Sequence, residues 1–213
     1  MRPGSRAAPL SVFDLFTVSL GPSGSHTVGP MRAARLFAEA LGDSGTLGSV
    51  ERLRIDLFGS LGATGAGHGS EAAVMLGLKG VRPELVDTAT IPERVTRIRR
   101  DGSLCLLGEQ HIRFSPSADL RLHVEPSPAR HPNAMRFAAF DAEGVLLRRN
   151  AYDSVGGGAV VENDHGHARV ADAGRAAPLH PFSPAREPLR STLSSARAGG
   201  EPARPAQRAE LAH

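Results

Sequence analysis

Apolar and polar positions change period several times between residues 29 and 161, and each change predicts an element. After Gly29-Pro30, the residues Ala33, Leu36, Phe37, Ala40 and Leu41 recur three and four apart, which gathers them on one helix face, and Gly42 supplies a stop. Proline in the first turn and glycine just past the end fit the ordinary asymmetry of helix termini. From Leu53 to Leu57 apolar and polar residues alternate, the signature of a half-buried strand. A glycine-rich loop, Gly62–Gly69, then leads into a helix carrying Ala72, Ala73, Met75, Leu76 and Leu78. Pro92–Arg100 reads as a charged surface helix, and Leu104–Leu107 and Ile112–Phe114 as short strands. Ala134–Asp141 and Val145–Tyr152 form a hairpin about Ala142-Glu143-Gly144. Gly156-Gly157-Gly158 breaks the chain before a last strand, Ala159–Val161. The sum is an α/β or α+β fold in which the pairing of the strands stays open.

The 213 residues suffice for one large domain, or one domain with a tail. Residues 11–164 carry the patterned elements. The segment 165–213 changes character: from Gly166 onward it holds 12 Ala, seven Arg, six Pro and four Gly but only six of Val, Leu, Ile, Met or Phe. Such a composition cannot bury enough apolar surface to offset ordering, so this tail is expected to be disordered.

Charge and composition narrow the function classes. Residues 1–165 carry 18 basic and 18 acidic side chains, so the net charge of +3 sits wholly in the tail. A balanced body with 4% aromatics and no Trp argues against a nucleic-acid partner. No apolar run approaches the ~20 residues of a membrane span, so no membrane partner is expected. The one cysteine, Cys105, excludes an intrachain disulfide framework and fits a cytoplasmic protein. Lys79 is the only lysine and stands at a predicted helix end, so pyridoxal phosphate is not expected.

Three histidine-bearing turns carry the candidate chemistry. Gly21 to Pro30 is a Ser/Gly loop ending where a helix begins, and it offers backbone N–H groups, the hydroxyls of Ser23, Ser25 and Thr27, and the imidazole of His26. Such a loop at a helix N-terminus suits a carboxylate or phosphate; an ordinary capped loop is the alternative reading. His68 is followed by Ser70 and Glu71, and His131-Pro132-Asn133 is a polar turn before a strand. Gly42-Asp43-Ser44-Gly45 is a helix stop. Gly65 to Ser70 matches a dinucleotide loop only in part, because Ser70 stands at the third glycine. His165 and His167 lack a third ligand nearby, so no metal site is expected.

Four stretches together carry a more specific signal: SVFDLFTVSLGPSGSHTVGPMRAARLF, LRIDLFGSLGATGAGHGSEAAVMLGL, HPNAMRF and YDSVGGGAVV. In order and spacing over about residues 11–164 they resemble the beta, N-terminal domain of bacterial iron–sulfur L-serine dehydratase, also called L-serine ammonia-lyase. The family's Ser-Ser-Ser-His-Thr has Gly24 at its middle serine here, and its Gly-His-x-Thr-Asp is Gly67-His68-Gly69-Ser70-Glu71. The resemblance implies a fold like the allosteric substrate-binding domain and a lyase reaction in amino-acid degradation, the β-elimination of L-serine to pyruvate and ammonia. It implies Ser23, Ser25, His26, Thr27 and Asn133 as substrate-binding residues and His68 and His131 as catalytic ones. It further implies a [4Fe–4S] cluster acting as Lewis acid, held by cysteines of an alpha domain or subunit, with a homo-oligomer as a further partner. A non-catalytic serine-binding module is the competing class. The text after His165, rich in residues with G/C-rich codons, carries the expectation of a frameshifted or truncated reading frame.

Overall fold

The computed structural model describes residues 23–125, 131–164 and 167–170, all within the compact unit Leu15–Gly174. Helix α1 (Val28–Asp43) buries Ala33, Phe37 and Leu41 as the spacing predicts, but its buried face turns toward Ala34 and Ala38, and Leu36 and Ala40 are only partly buried. It starts two residues before Pro30, whose missing N–H is harmless in the first turn. It also runs past Gly42, and the left-handed residue after its end is Gly45, with φ +70°.

Strand β1 (Arg52–Phe58) places Leu53, Ile55 and Leu57 in the core. The half-buried reading holds only for its first half, because Asp56 and Phe58 are buried as well. The next segment corrects the sequence reading. Gly62–Gly69 is not a loop: α2 (Ser60–His68) runs to Gly69, which turns in the left-handed region at φ +80°, and α3 (Ser70–Leu78) follows at once. Glycine is required here by proximity rather than by chain flexibility. A Cβ on Gly62 would lie 2.0 Å from the carbonyl oxygen of His123.

Helix α4 (Ile91–Asp101) buries Val95 and Ile98, and the hairpin β2 (Ser103–Leu106) and β3 (Gln110–Arg113) follows, much as the pattern predicts. One helical turn, α5 (Pro116–Asp119), leads into β4 (Leu120–His123). Strands β5 (Ala134–Phe140) and β6 (Leu146–Gly156) form the expected hairpin, closed by Asp141 Oδ1 accepting from the Val145 N–H at 2.7 Å. β6 continues to Gly156, and a glycine turn joins it to β7 (Ala159–Asp164). Strand β8 (His167–Val170) pairs with β7 inside the segment assigned to the tail, so regular structure continues past the boundary expected at 165. Residues 171–213 lie outside the described residues.

The pairing left open by the sequence is a six-stranded mixed sheet in the order β4-β1-β5-β6-β7-β8, in which only β1 and β4 are parallel. Phe37 of α1 stacks on Phe137 of β5 at 5.4 Å, and Phe137 meets Tyr152 of β6 edge-on at 5.8 Å. With Val74 and Leu78 of α3 these rings form the core between helices and sheet. The two helices approach closely at Gly77, where a Cβ would come within 2.2 Å of the Met31 carbonyl oxygen. Among the described residues no helix is long and apolar enough to cross a membrane.

Candidate functional site

The carboxyl end of β1 is where the polar motifs gather. Gly59 turns the chain out of β1 at φ +58° with its N–H on the Glu125 carbonyl, and Ser60, which opens α2, donates its N–H to the Pro132 carbonyl at 2.8 Å. The second of these bonds brings the strand–helix corner against the His131-Pro132-Asn133 turn. A side chain at 59 would lie 2.5 Å from the Pro132 oxygen, so glycine is required by both conformation and space.

The loop before α1 arrives from the other side. His26 is held through both ring nitrogens: Nδ1 lies 3.2 Å from Ser23 Oγ and 3.1 Å from Ser25 Oγ, and Nε2 lies 2.9 Å from Ser60 Oγ. The two hydroxyls of Ser23 and Ser25 are themselves 2.9 Å apart. The expected Ser/His cluster therefore exists, and Ser60 joins it as a residue that sequence reasoning missed. Its one signal is position, the first residue of a helix directly after a strand.

Thr27 plays an internal part. It is buried, and its hydroxyl donates to the Ser23 carbonyl at 2.9 Å. The N–H groups of His26 and Gly29 donate to Ser23 and Gly24 carbonyls, so two of the donors that an anion would use already brace the loop. Ser70, fully buried, donates its hydroxyl to the His26 carbonyl at 2.7 Å. Glu71 turns away to an ion pair with Arg99 of α4 at 2.8 Å. The triplet His68, Ser70 and Glu71 is thus divided, its hydroxyl serving the His26 loop and its carboxylate a surface pair. His68 is the last residue of α2.

His131 accepts the Asn133 backbone N–H on Nδ1 at 3.1 Å, so its neutral ring carries the proton on Nε2. Asn133 exchanges backbone contact with β6: the Ser154 N–H donates to its carbonyl at 3.0 Å, and its side-chain amide reaches the Ser154 carbonyl at 3.4 Å. Asn133 Oδ1 and Ser154 Oγ are buried without a hydrogen-bond partner. Ser154 sits directly on α1, because a Cβ at Gly29 would meet its Oγ at 2.0 Å. The glycine turn completes the enclosure: Arg32 of α1 donates to the Gly158 carbonyl at 2.8 Å, and Gly24 lies beside Gly158. All four sequence motifs therefore meet, through their glycines and polar turns.

An iron–sulfur cluster does not fit this chain's donors. Cys105, the one cysteine, lies in the β2–β3 hairpin, and no three His, Cys, Asp or Glu residues come together among the described residues. Lys79 is the cap residue at the end of α3, followed by Gly80 at φ +82°.

A mixed α/β domain that brings four polar turns together at the carboxyl end of a strand, with the His26 imidazole held among three serines, is the class defined by this fold. The family model described as Serine dehydratase beta chain matches residues 11–165. The chain belongs to that family. It is 49% identical over 155 residues to the L-serine dehydratase of Streptomyces coelicolor, covering 73% of this chain and 34% of that protein. It is 46% identical over 152 residues to the L-serine dehydratase of Mycobacterium tuberculosis, covering 71% and 33%. L-serine dehydratase 1 of Escherichia coli is 38% identical over 157 residues, covering 73% and 34%. The chain spans about a third of the length of these relatives.

Proposed function

We propose that this chain is the L-serine-binding beta portion of an L-serine dehydratase, acting in the β-elimination that converts serine to pyruvate and ammonia. The observation that carries the reading is the doubly held His26, with Ser23, Ser25 and Ser60 around its ring, in a chain whose relatives are named L-serine dehydratase. A cluster of hydroxyls and one imidazole matches a substrate that carries a carboxylate, an ammonium and a hydroxyl. Asn133 Oδ1, buried and unpartnered, offers an acceptor to the ammonium.

In the reaction the α C–H and the β C–O bonds break, water leaves, and the aminoacrylate tautomerises and hydrolyses. His131 keeps its proton on Nε2 while Nδ1 accepts from Asn133, so it serves as a hydrogen-bond donor to the hydroxyl. The second catalytic residue that the family resemblance implies is His68. Thr27 orients the loop through Ser23. The [4Fe–4S] cluster that the family resemblance implies belongs on an alpha domain outside this sequence, and the domain's fold is read as that of an allosteric substrate-binding domain.

Reconstitution tests this. The chain is mixed with a separately expressed alpha domain, iron and sulfide, and pyruvate is measured from L-serine. Pyruvate that requires both components is expected. Saturable serine binding without pyruvate under any loading would replace the enzyme reading with that of a non-catalytic serine-binding module.

A further inference from the structure

The sheet face turned away from α1 and α3 carries a second, unrelated feature. Strand alternation sends Arg52, Arg54, Asp56 and Phe58 of β1 to this face, opposite the core residues Leu53, Ile55 and Leu57. Register then sets Arg54, Ala138 and Arg149 side by side across β1, β5 and β6, with Asp56 paired to Arg136 in the next row. The small Ala138 between two long arginines leaves a pit of about 120 Å³, lined by Arg54, Asp56, Arg136, Ala138, Phe140 and Arg149.

Its charge is lopsided. Asp56 is buried and already answered on both oxygens, by His123 Nε2 at 2.7 Å and by Arg54 Nε at 3.2 Å. Arg136 lies over the Phe58 ring at 5.4 Å. Three guanidinium groups therefore face one carboxylate in a small concavity, and guanidinium groups match the oxygens of phosphate or carboxylate in two-pronged fashion. The larger cleft of about 500 Å³ at the start of β1 shows the contrast: Glu51, Asp119 and Asp141 outnumber Arg52 and Arg113 there.

We propose that the Arg54, Arg136 and Arg149 pit binds a small dianion, an inorganic phosphate or a short dicarboxylate, on the sheet face opposite the helices. Fields of several like charges in a depression concentrate such ions. The site is separate from the His26 cluster and does not depend on the serine reading.

The test titrates inorganic phosphate, succinate and acetate calorimetrically into the full chain, at constant ionic strength set by potassium chloride. Saturable one-to-one binding of phosphate or succinate, with acetate much weaker, is expected, and the stronger dianion identifies the class. Arg149→Gln and Arg136→Gln should each weaken that binding about tenfold, since each removes one charged two-pronged partner. Their circular dichroism and melting in chloride report whether each variant folds. Absence of saturable binding by either dianion overturns the proposal, as does acetate binding equal to theirs or unchanged affinity in both folded variants.

Discussion

His26 Nε2 and Ser60 Oγ stand 2.9 Å apart although 34 residues separate them in the chain. That contact ties the loop before α1 to the corner after β1, and it fixes the imidazole whose other nitrogen faces Ser23 and Ser25. Ser60→Ala should release one side of the ring. Loss of one partly buried hydrogen bond costs about 1 kcal/mol of stability. L-serine affinity is expected to fall by about the same energy, near fivefold. Thermal melting and serine titration of the variant measure the two effects.

The join between α1 and β6 is tight enough to test by volume. An alanine at Gly29 would drive its Cβ to 2.0 Å from Ser154 Oγ, so Gly29→Ala should destabilise by about 1–3 kcal/mol through overpacking. Adding Ser154→Gly removes the obstructing side chain. Denaturant unfolding of the double variant should recover part of the loss, and a strictly additive double variant would contradict the contact.

Tyr152 reports on the core by itself, since it is the only tyrosine. Burial first, and the nearby Glu162 charge with it, push its phenol well above the usual tyrosine range. The folded protein should therefore show no phenolate absorbance as pH passes the ordinary value of about 10. Because the folded pKa is raised, the stabilisation it brings is complete below the unfolded value and declines as pH rises above it. Spectrophotometric titration should show phenolate arriving together with unfolding. A smooth titration near the ordinary value in folded protein would contradict the buried ring.

Glu84 illustrates the opposite sign. Partial burial works to raise its pKa, but this is outweighed by the Arg32 hydrogen bond, its own backbone and the charges of Arg32 and Arg35, leaving it lowered. The pair adds stability above the unfolded carboxylate range, lost as pH falls through the lower folded value. Half-exposed as it is, Glu84→Gln should cost only about 0.5 kcal/mol near neutrality and nothing in acid. Stability curves at the two pH values check this.

Much of the architecture was legible where a single period ruled. The 3.6-residue spacing of Ala33, Phe37 and Leu41 marked α1, and Ala142-Glu143-Gly144 marked the β5–β6 turn, because local sterics decide both. The segment Gly62–Gly69 misled because Gly62 serves close packing and Gly69 turns between two helices, so neither marks a loop. Gly62 admits the β4 backbone of His123, a neighbour 61 positions away that no local pattern reveals. The same holds for the site. Ser23, Ser25 and His26 could be read as a cluster from their adjacency, while Ser60 became its partner only through the β1–α2 corner, and Thr27 and Ser70 turned inward to brace the loop. Asp56 broke the alternation of β1 because its charge finds His123 on the parallel neighbour.

The central claim, that the polar cluster around His26 receives L-serine, is tested most directly by calorimetric titration of L-serine into the isolated chain and into its His26→Ala variant. Saturable one-to-one binding to the chain is expected, stronger for L- than for D-serine, with its loss in a variant that still folds. Equal binding by the folded variant, or no saturable L-serine binding by the chain, would contradict it.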